Sequence, residues 1–281
     1  MTTSPPPGSS YPPAPPPPRT SRGLRLLLLI GIPVLILALL IAFGFSLSAA
    51  IRSAPSGANV SQDERADAGT SVSVDVPNAT LVLGPSDDDE VHVSMRGTYA
   101  GTKPRLTVTT DDGETEIEGG CPRGWFVFNR CSVRIEIQLP AALDVKLEGQ
   151  NGGVTATGLG GDLDLETTNG TIAVEESSGR LTLDTTNGRI ELSDATSTAV
   201  EAETTNGAVR LQFSAAPDSV QARSTNGEIS VRVPDDDESY RVEADTTNGR
   251  VDTADIRTDP DSDRSISVRT TNGRVTVEQA R

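Results

Sequence analysis

The chain has 281 residues, a formal net charge of −16, 35% hydrophobic and only 3% aromatic content, one histidine and two cysteines. So few large apolar side chains favour thin layers of strands over a thick globular core, and the acidic balance argues against nucleic acid or an anionic lipid surface as a partner. The single histidine, His92, rules out a His-rich metal centre, and any Ser-His-Asp or Cys-His arrangement would have to use it.

Residues 1–25 hold nine prolines, including Pro5–Pro7 and Pro15–Pro18. They read as a Pro-rich disordered cytoplasmic tail. It is either simply solvated or docks as polyproline II in an aromatic-lined groove of a cytoplasmic partner. Leu26–Ile51 follows, 26 residues without a charge. About 20 apolar residues cross a bilayer core, so a transmembrane helix is predicted over 26–51. Arg19, Arg22 and Arg25 precede it, whereas Asp63, Glu64 and Asp67 come soon after Arg52. The positive-inside bias then places the N-terminus in the cytoplasm and the C-terminal domain outside, on a single-pass plasma-membrane protein. Ser48-Ala49-Ala50 offers a competing reading as a signal-peptide cleavage site. A signal h-region is much shorter than this segment, which favours an uncleaved anchor. Residues 52–68 read as a linker.

Residues 69–143 form an N-terminal β region with a cysteine loop. Cys121 and Cys131 bracket the segment PRGWFVFNR. An even pair this close outside the cell predicts a disulfide, stabilising by about 3 kcal/mol in the chain-entropy picture. The loop carries Trp125, Phe126 and Phe128. These three are candidate partner-binding residues, since a rigid aromatic anchor suits an interface. The structural alternative, which we favour, is a plug over the unpaired strand edges at the end of a repeat stack.

From 144 to 281 the chain is periodic. Asn-Gly recurs at Asn151, Asn169, Asn187, Asn206, Asn226, Asn248 and Asn272, with spacings of 18, 18, 19, 20, 22 and 24. At six and four residues before each Asn, and three and five after, stand apolar residues. Thr253 is the one exception. That i, i+2 pairing is strand periodicity. Asn and Gly tolerate positive φ, so each Asn-Gly is expected to turn the chain between two strands, as a hairpin or as a solenoid corner. Seven copies favour stacked rungs, with the Asn side chains in an amide ladder and Thr167, Thr185, Thr204, Ser224, Thr246 and Thr270 hydrogen-bonded along the stack. Adjacent hairpins on a curled sheet are the alternative. The expected fold is therefore all-β: a right-handed β-solenoid or β-helix-like array of about seven Asn-Gly rungs, preceded by a disordered tail and one transmembrane helix. The last rung in sequence, Arg269–Glu278, is expected at an open end, its edge protected by the charges of Arg274, Glu278 and Arg281 or by pairing with another molecule.

The segment LPAALDVKLEGQNGGVTATGLGGDLDLETTNGTIAVEESSGRLTLDTTNGRIEL, residues 139–192, resembles a bacterial family of β-strand repeat proteins named as putative adhesins, a domain of unknown function. The resemblance covers roughly residues 70–281. It rests on Pro140 opening the array and on the recurring apolar-x-apolar-x-Thr-x-Asn-Gly rung. It implies a β-solenoid on a membrane-anchored bacterial surface protein, and it supplies no catalytic residues.

No cofactor or metal is expected. Asp259, Asp261 and Asp263 look like the start of a calcium loop, but Arg264 stands where an EF-hand needs Gly and Thr270 where it needs Glu. The acidic loops 235–238, 87–90 and 259–263 offer weak calcium binding at most. Acids are too frequent, and aromatic platforms too scarce, to point to a sugar-cleaving enzyme. The reading is a non-enzymatic, membrane-embedded, extracytoplasmic protein: an adhesin or an envelope-binding or scaffold module for an unknown protein or polysaccharide at the cell surface. The alternative is an accessory or sensor protein of envelope-stress signalling, with the Pro-rich tail contacting a cytoplasmic partner.

Overall fold

The computed structural model describes residues 57–122 and 130–280, which belong to one compact unit. The predicted tail, the predicted transmembrane helix and the aromatic triplet Trp125, Phe126 and Phe128 lie outside the described residues.

Every regular element among the described residues is a strand. The N-terminal part contains β1 (Ala58–Asp67), β2 (Ser71–Asn78), β3 (Thr80–Pro85), β4 (Glu90–Ala100), β5 (Arg105–Asp111), β6 (Glu114–Gly120) and β7 (Arg130–Leu139). The repeats then follow as pairs: β8 (Asp144–Asn151) and β9 (Val154–Thr157), β10 (Leu163–Asn169) and β11 (Ile172–Glu175), β12 (Leu181–Asn187) and β13 (Ile190–Ala195), β14 (Ala199–Asn206) and β15 (Val209–Phe213). The last three pairs are β16 (Ser219–Asn226) with β17 (Ile229–Val233), β18 (Arg241–Asn248) with β19 (Val251–Asp252), and β20 (Ser265–Asn272) with β21 (Val275–Gln279).

Each pair is one rung, with its first strand in one sheet and its second in the other. The two sheets run β5-β6-β2-β8-β10-β12-β14-β16-β20-β18 and β1-β4-β7-β3-β9-β11-β13-β15-β17-β21-β19. We call them the ten-stranded and the eleven-stranded sheet. Rung-to-rung pairing is parallel throughout, with each Asn opposite the next where the register reaches it, as Asn187 opposite Asn206 and Asn226 opposite Asn272. Stacked solenoid rungs, not adjacent hairpins, are therefore the architecture. The alternating residues explain the single core between the sheets. In β14, Val200, Ala202 and Thr204 are buried while Glu201 and Glu203 face water, and the other interior rungs repeat this pattern.

The glycines act differently from the expectation. Of the seven that follow an Asn, only Gly152 has a positive φ in the left-handed range, 137°. What each corner requires is closeness. A Cβ on Gly207 would lie 1.7 Å from the Gly188 carbonyl oxygen, and one on Gly273 2.0 Å from that of Gly227. The rungs touch backbone to backbone there, so no side chain fits. The left-handed turn chemistry lies instead in the β5–β6 hairpin, where Asp112 (φ 49°) and Gly113 (φ 87°) make an Asp-Gly turn.

The threonine row bonds along the stack as expected, through backbone carbonyls of the next rung and not from hydroxyl to hydroxyl. Thr185, Thr204, Ser224, Thr270 and Thr246 each donate to the corner-glycine carbonyl of the adjacent rung at 3.0–3.1 Å. Thr167, buried beside Gly149, has an Oγ1 without a partner.

Two further expectations change. Residues 58–67, expected within the linker, form β1, paired antiparallel with β4 over its whole length. Its composition is polar because it is an edge strand that buries only Val60. The array also begins before the first Asn-Gly. β2 and β3 form a rung around Asn78-Ala79, stacked in register on β8 and β9. The intervening strands β4–β7 are an excursion that closes this end. The edge strands of the two sheets, β1 and β5, lie against each other there, and Thr110 and Thr115 both donate to the Asp67 carbonyl at 3.2 Å.

At the other end the spatial order departs from the sequence order. β20–β21, last in the chain, insert between β16–β17 and β18–β19. Arg269–Glu278 is thus an interior rung, and the proposed edge charges of Arg274 and Glu278 do not guard an edge: Glu278 is ion-paired with Arg232 on the neighbouring strand. The terminal rung is β18–β19. Burial gives the physical reason. Ile266, Val268, Val275 and Val277 fill the inserted rung and are buried, whereas β18–β19 offers only Val242, Ala244, Val251 and the polar Thr253. The more apolar rung takes the site with neighbours on both sides. The loops before β18 and after β19 help to close this end through Tyr240, fully buried, and Ile256, 8% exposed. Arg264 fixes them, with Nε on Glu238 at 3.1 Å and its guanidinium on the Ala216 and Pro217 carbonyls at 3.2 and 3.3 Å.

Candidate functional site

The corners of the rungs carry an asparagine ladder. Each Nδ2 donates to the Oδ1 of the neighbouring rung, from Asn151 to Asn78 at 2.7 Å, and on through Asn169, Asn187, Asn206, Asn226 and Asn272 at 2.8–3.0 Å. Asn248 donates to Asn272 at 2.9 Å and completes eight members. The first, Asn78, donates to the Cys121 carbonyl at 3.4 Å. All bonds point the same way, so the chain polarises along its length. The seven Asn-Gly asparagines form the expected amide ladder. Asn78 was missed because Ala79 follows it; the Val-x-Val-x-Val-x-Asn run of β2 was the available signal.

Cys121 and Cys131 form the predicted disulfide, with Cα atoms 5.8 Å apart. It ties the end of β6 in one sheet to β7 in the other. At its base lies a cleft of about 380 Å³ lined by Pro77, Lys103, Arg105, Glu118 and Pro122.

A larger groove, about 620 Å³, opens on the outer face of the eleven-stranded sheet where β1, β4, β7 and β3 adjoin. Its lining is polar and of mixed charge: Asp63, Arg65, His92, Ser94, Arg96, Glu136 and Gln138. Small residues on β3, Val82 and Gly84, form part of the lining beside the long side chains of the flanking strands. The only histidine stands here. His92 Nε2 is 2.8 Å from Asp88 Oδ1 and 2.9 Å from Oδ2, and this contact is the main cause holding the Asp88 carboxyl below its ordinary range. With Glu90, the two present ligand atoms within 4.8 Å of one another, the grouping among the described residues that could hold a divalent metal. Arg65 sits opposite His92 on β1.

The outer face of the ten-stranded sheet is acidic at mid-stack. Asp164, Glu166, Asp184, Glu201 and Glu203 lie on successive strands. Burial, followed by the charges of Glu203, Glu166 and Asp164, raises the Asp184 carboxyl. The acidic loops are partly committed elsewhere: Glu238 to Arg264 at 3.1 Å, Asp237 to Arg257 at 3.3 Å, Asp88 to His92. Asp259 accepts from the Asp261 amide, closing its own turn.

No curated protein matches the chain. Among solved structures it is similar to a putative adhesin from Bacteroides fragilis, at 14% identity and TM-score 0.38, over 80% of this chain and 99% of that one. It is also similar to a putative adhesin from Parabacteroides distasonis, at 15% identity and TM-score 0.35, over 80% and 98%. A third is described as a putative lipid binding protein from the same species, at 12% identity and TM-score 0.31, over 81% and 98%. Likeness at this level carries neither a site nor a ligand to this chain. The sequence itself is decisive at the family level: with residues 60–278 matching, the chain belongs to the Toastrack DUF4097 family.

Proposed function

We propose that this protein is a non-enzymatic, membrane-anchored envelope module whose solenoid binds a polar polymer or protein at the cell surface. The observation that supports it most is the mixed-charge groove on the eleven-stranded sheet. It is open along one side and offers, on paired strands, Arg65, Gln138, the Arg96–Asp63 pair at 3.7 Å and Glu136, which Arg134 holds at 3.0 Å. Such a surface suits many spaced polar contacts with an extended ligand, each of modest strength, more than it suits enclosing a small substrate. The anchor and orientation rest on Leu26–Ile51 and the flanking arginines.

The test is binding of the compact unit, residues 55–281, to cell-wall polysaccharide, matrix protein and whole cells, with and without calcium. Saturable binding that weakens at least about tenfold on Arg96→Ala with Glu136→Ala supports the groove. Binding that drops only on Trp125→Ala moves the site to the disulfide loop, and no saturable binding overturns the reading. One sequence feature, the Pro15–Pro18 run, favours a second reading in which the tail reports inward. Loss of an envelope phenotype on deleting residues 1–22, at an unchanged surface level, would favour it.

A further inference from the structure

The ladder treats its members unequally. Asn151, Asn169, Asn187, Asn206, Asn226 and Asn272 each have Nδ2 donating to one rung and Oδ1 accepting from the next. At four of these corners the next-rung Asn carbonyl also holds the glycine amide: Gly152 on Asn169, Gly207 on Asn226, Gly227 on Asn272 and Gly273 on Asn248, at 3.0–3.1 Å. The terminal rung has no rung beyond it. Among the described residues, Asn248 Oδ1 accepts no hydrogen bond and the Gly249 amide donates none.

We propose that Asn248-Gly249 is a spontaneous deamidation site, and that the ladder shields the other six Asn-Gly pairs. The Gly249 nitrogen attacks Asn248 Cγ. The new N–Cγ bond forms, the Cγ–Nδ2 bond breaks, and Nδ2 leaves as ammonia with the proton lost from the glycine nitrogen. Water then opens the succinimide at either carbonyl and leaves aspartate or isoaspartate at position 248. The step consumes one water and no oxidant or cofactor. Glycine is the residue that least obstructs the attack, so all seven pairs are intrinsically reactive. In the interior, Cγ reaches the next nitrogen only after both side-chain bonds break, and the glycine proton is itself engaged at the four corners above. At Asn248 a single ladder bond holds the amide. The product places a carboxylate oxygen against Asn272 Oδ1, two acceptors face to face, and so loosens the terminal rung.

The experiment is ageing of the folded, full-length chain in mild detergent at slightly alkaline pH. Peptide mass spectrometry then measures amide-to-acid conversion at each Asn-Gly, with an unfolded sample alongside. Conversion at Asn248 about tenfold or more faster than at any other site in the folded sample, with the rates evened out on unfolding, is the expected result. A smaller preference, a different leading site, or the same ranking in the unfolded sample overturns the proposal.

Discussion

The two ends of the stack solve one problem in opposite ways. A solenoid leaves the backbone groups of its last strands unpaired, and its apolar interior open. At the N-terminal end, antiparallel strands fold across: β1 and β5 meet, and the disulfide staples the sheets. At the other end nothing extra is built. The chain reorders its last two rungs, putting the more apolar one inside and the less apolar one outside, and uses Tyr240 and Ile256 to help fill the gap. A repeat array can therefore be capped by added structure, or by spending its least apolar repeat as the cap.

The sharpest way to break this comparison is at the reordered rungs. Ile266→Ala, in the rung that sequence order alone would leave at the edge, is expected to cost about 3 kcal/mol in denaturant unfolding, against about 1 kcal/mol for Val242→Ala, which is only half-buried. Reversed costs would mean that the rungs stack in sequence order. At the opposite end, Cys121→Ser with Cys131→Ser should lower stability by about 3 kcal/mol, read as a lower melting temperature that a reducing agent no longer changes.

Tyr240 gives a pH test of the reordered end. Burial pushes its hydroxyl up from the ordinary 10.0 to about 12. The unfolded chain ionises it first and so binds fewer protons across that window. Stability should fall as pH rises from 10 to 12, by on the order of 2 kcal/mol. Tyr240→Phe should flatten much of that slope. It should also leave neutral-pH stability unchanged or higher, because the hydroxyl has no partner. The smallest expected effect is within the threonine row. Thr204→Val loses the bond to Gly188 and should cost about 1 kcal/mol, whereas Thr167→Val, with no bond to lose, should be neutral or stabilising.

Much of the fold was legible because it is local and repeated. The i, i+2 apolar pairs, the Asn-Gly corners and the Asn ladder follow from residues within each rung, and the close cysteine pair from spacing. Even the weak rung was visible, as Thr253 in a place where every other copy is apolar. What the sequence could not settle was which rung neighbours which. β18 and β20 carry the same register and the same Asn, so either would dock on β16. The choice depends on summed burial over whole rungs and on loops long enough to carry the chain past one position and back. Likewise, the corner glycine reads as a turn residue until the neighbouring rung's carbonyl is seen 1.7–2.0 Å from its missing Cβ. β1 looks like a polar linker until β4 lies beside it, and the groove around His92 exists only because the excursion β4–β7 returns to pair with β3 and β1. The sequence by itself determined the rung; the contacts between distant segments determined the order, the ends and the surface that is open to bind.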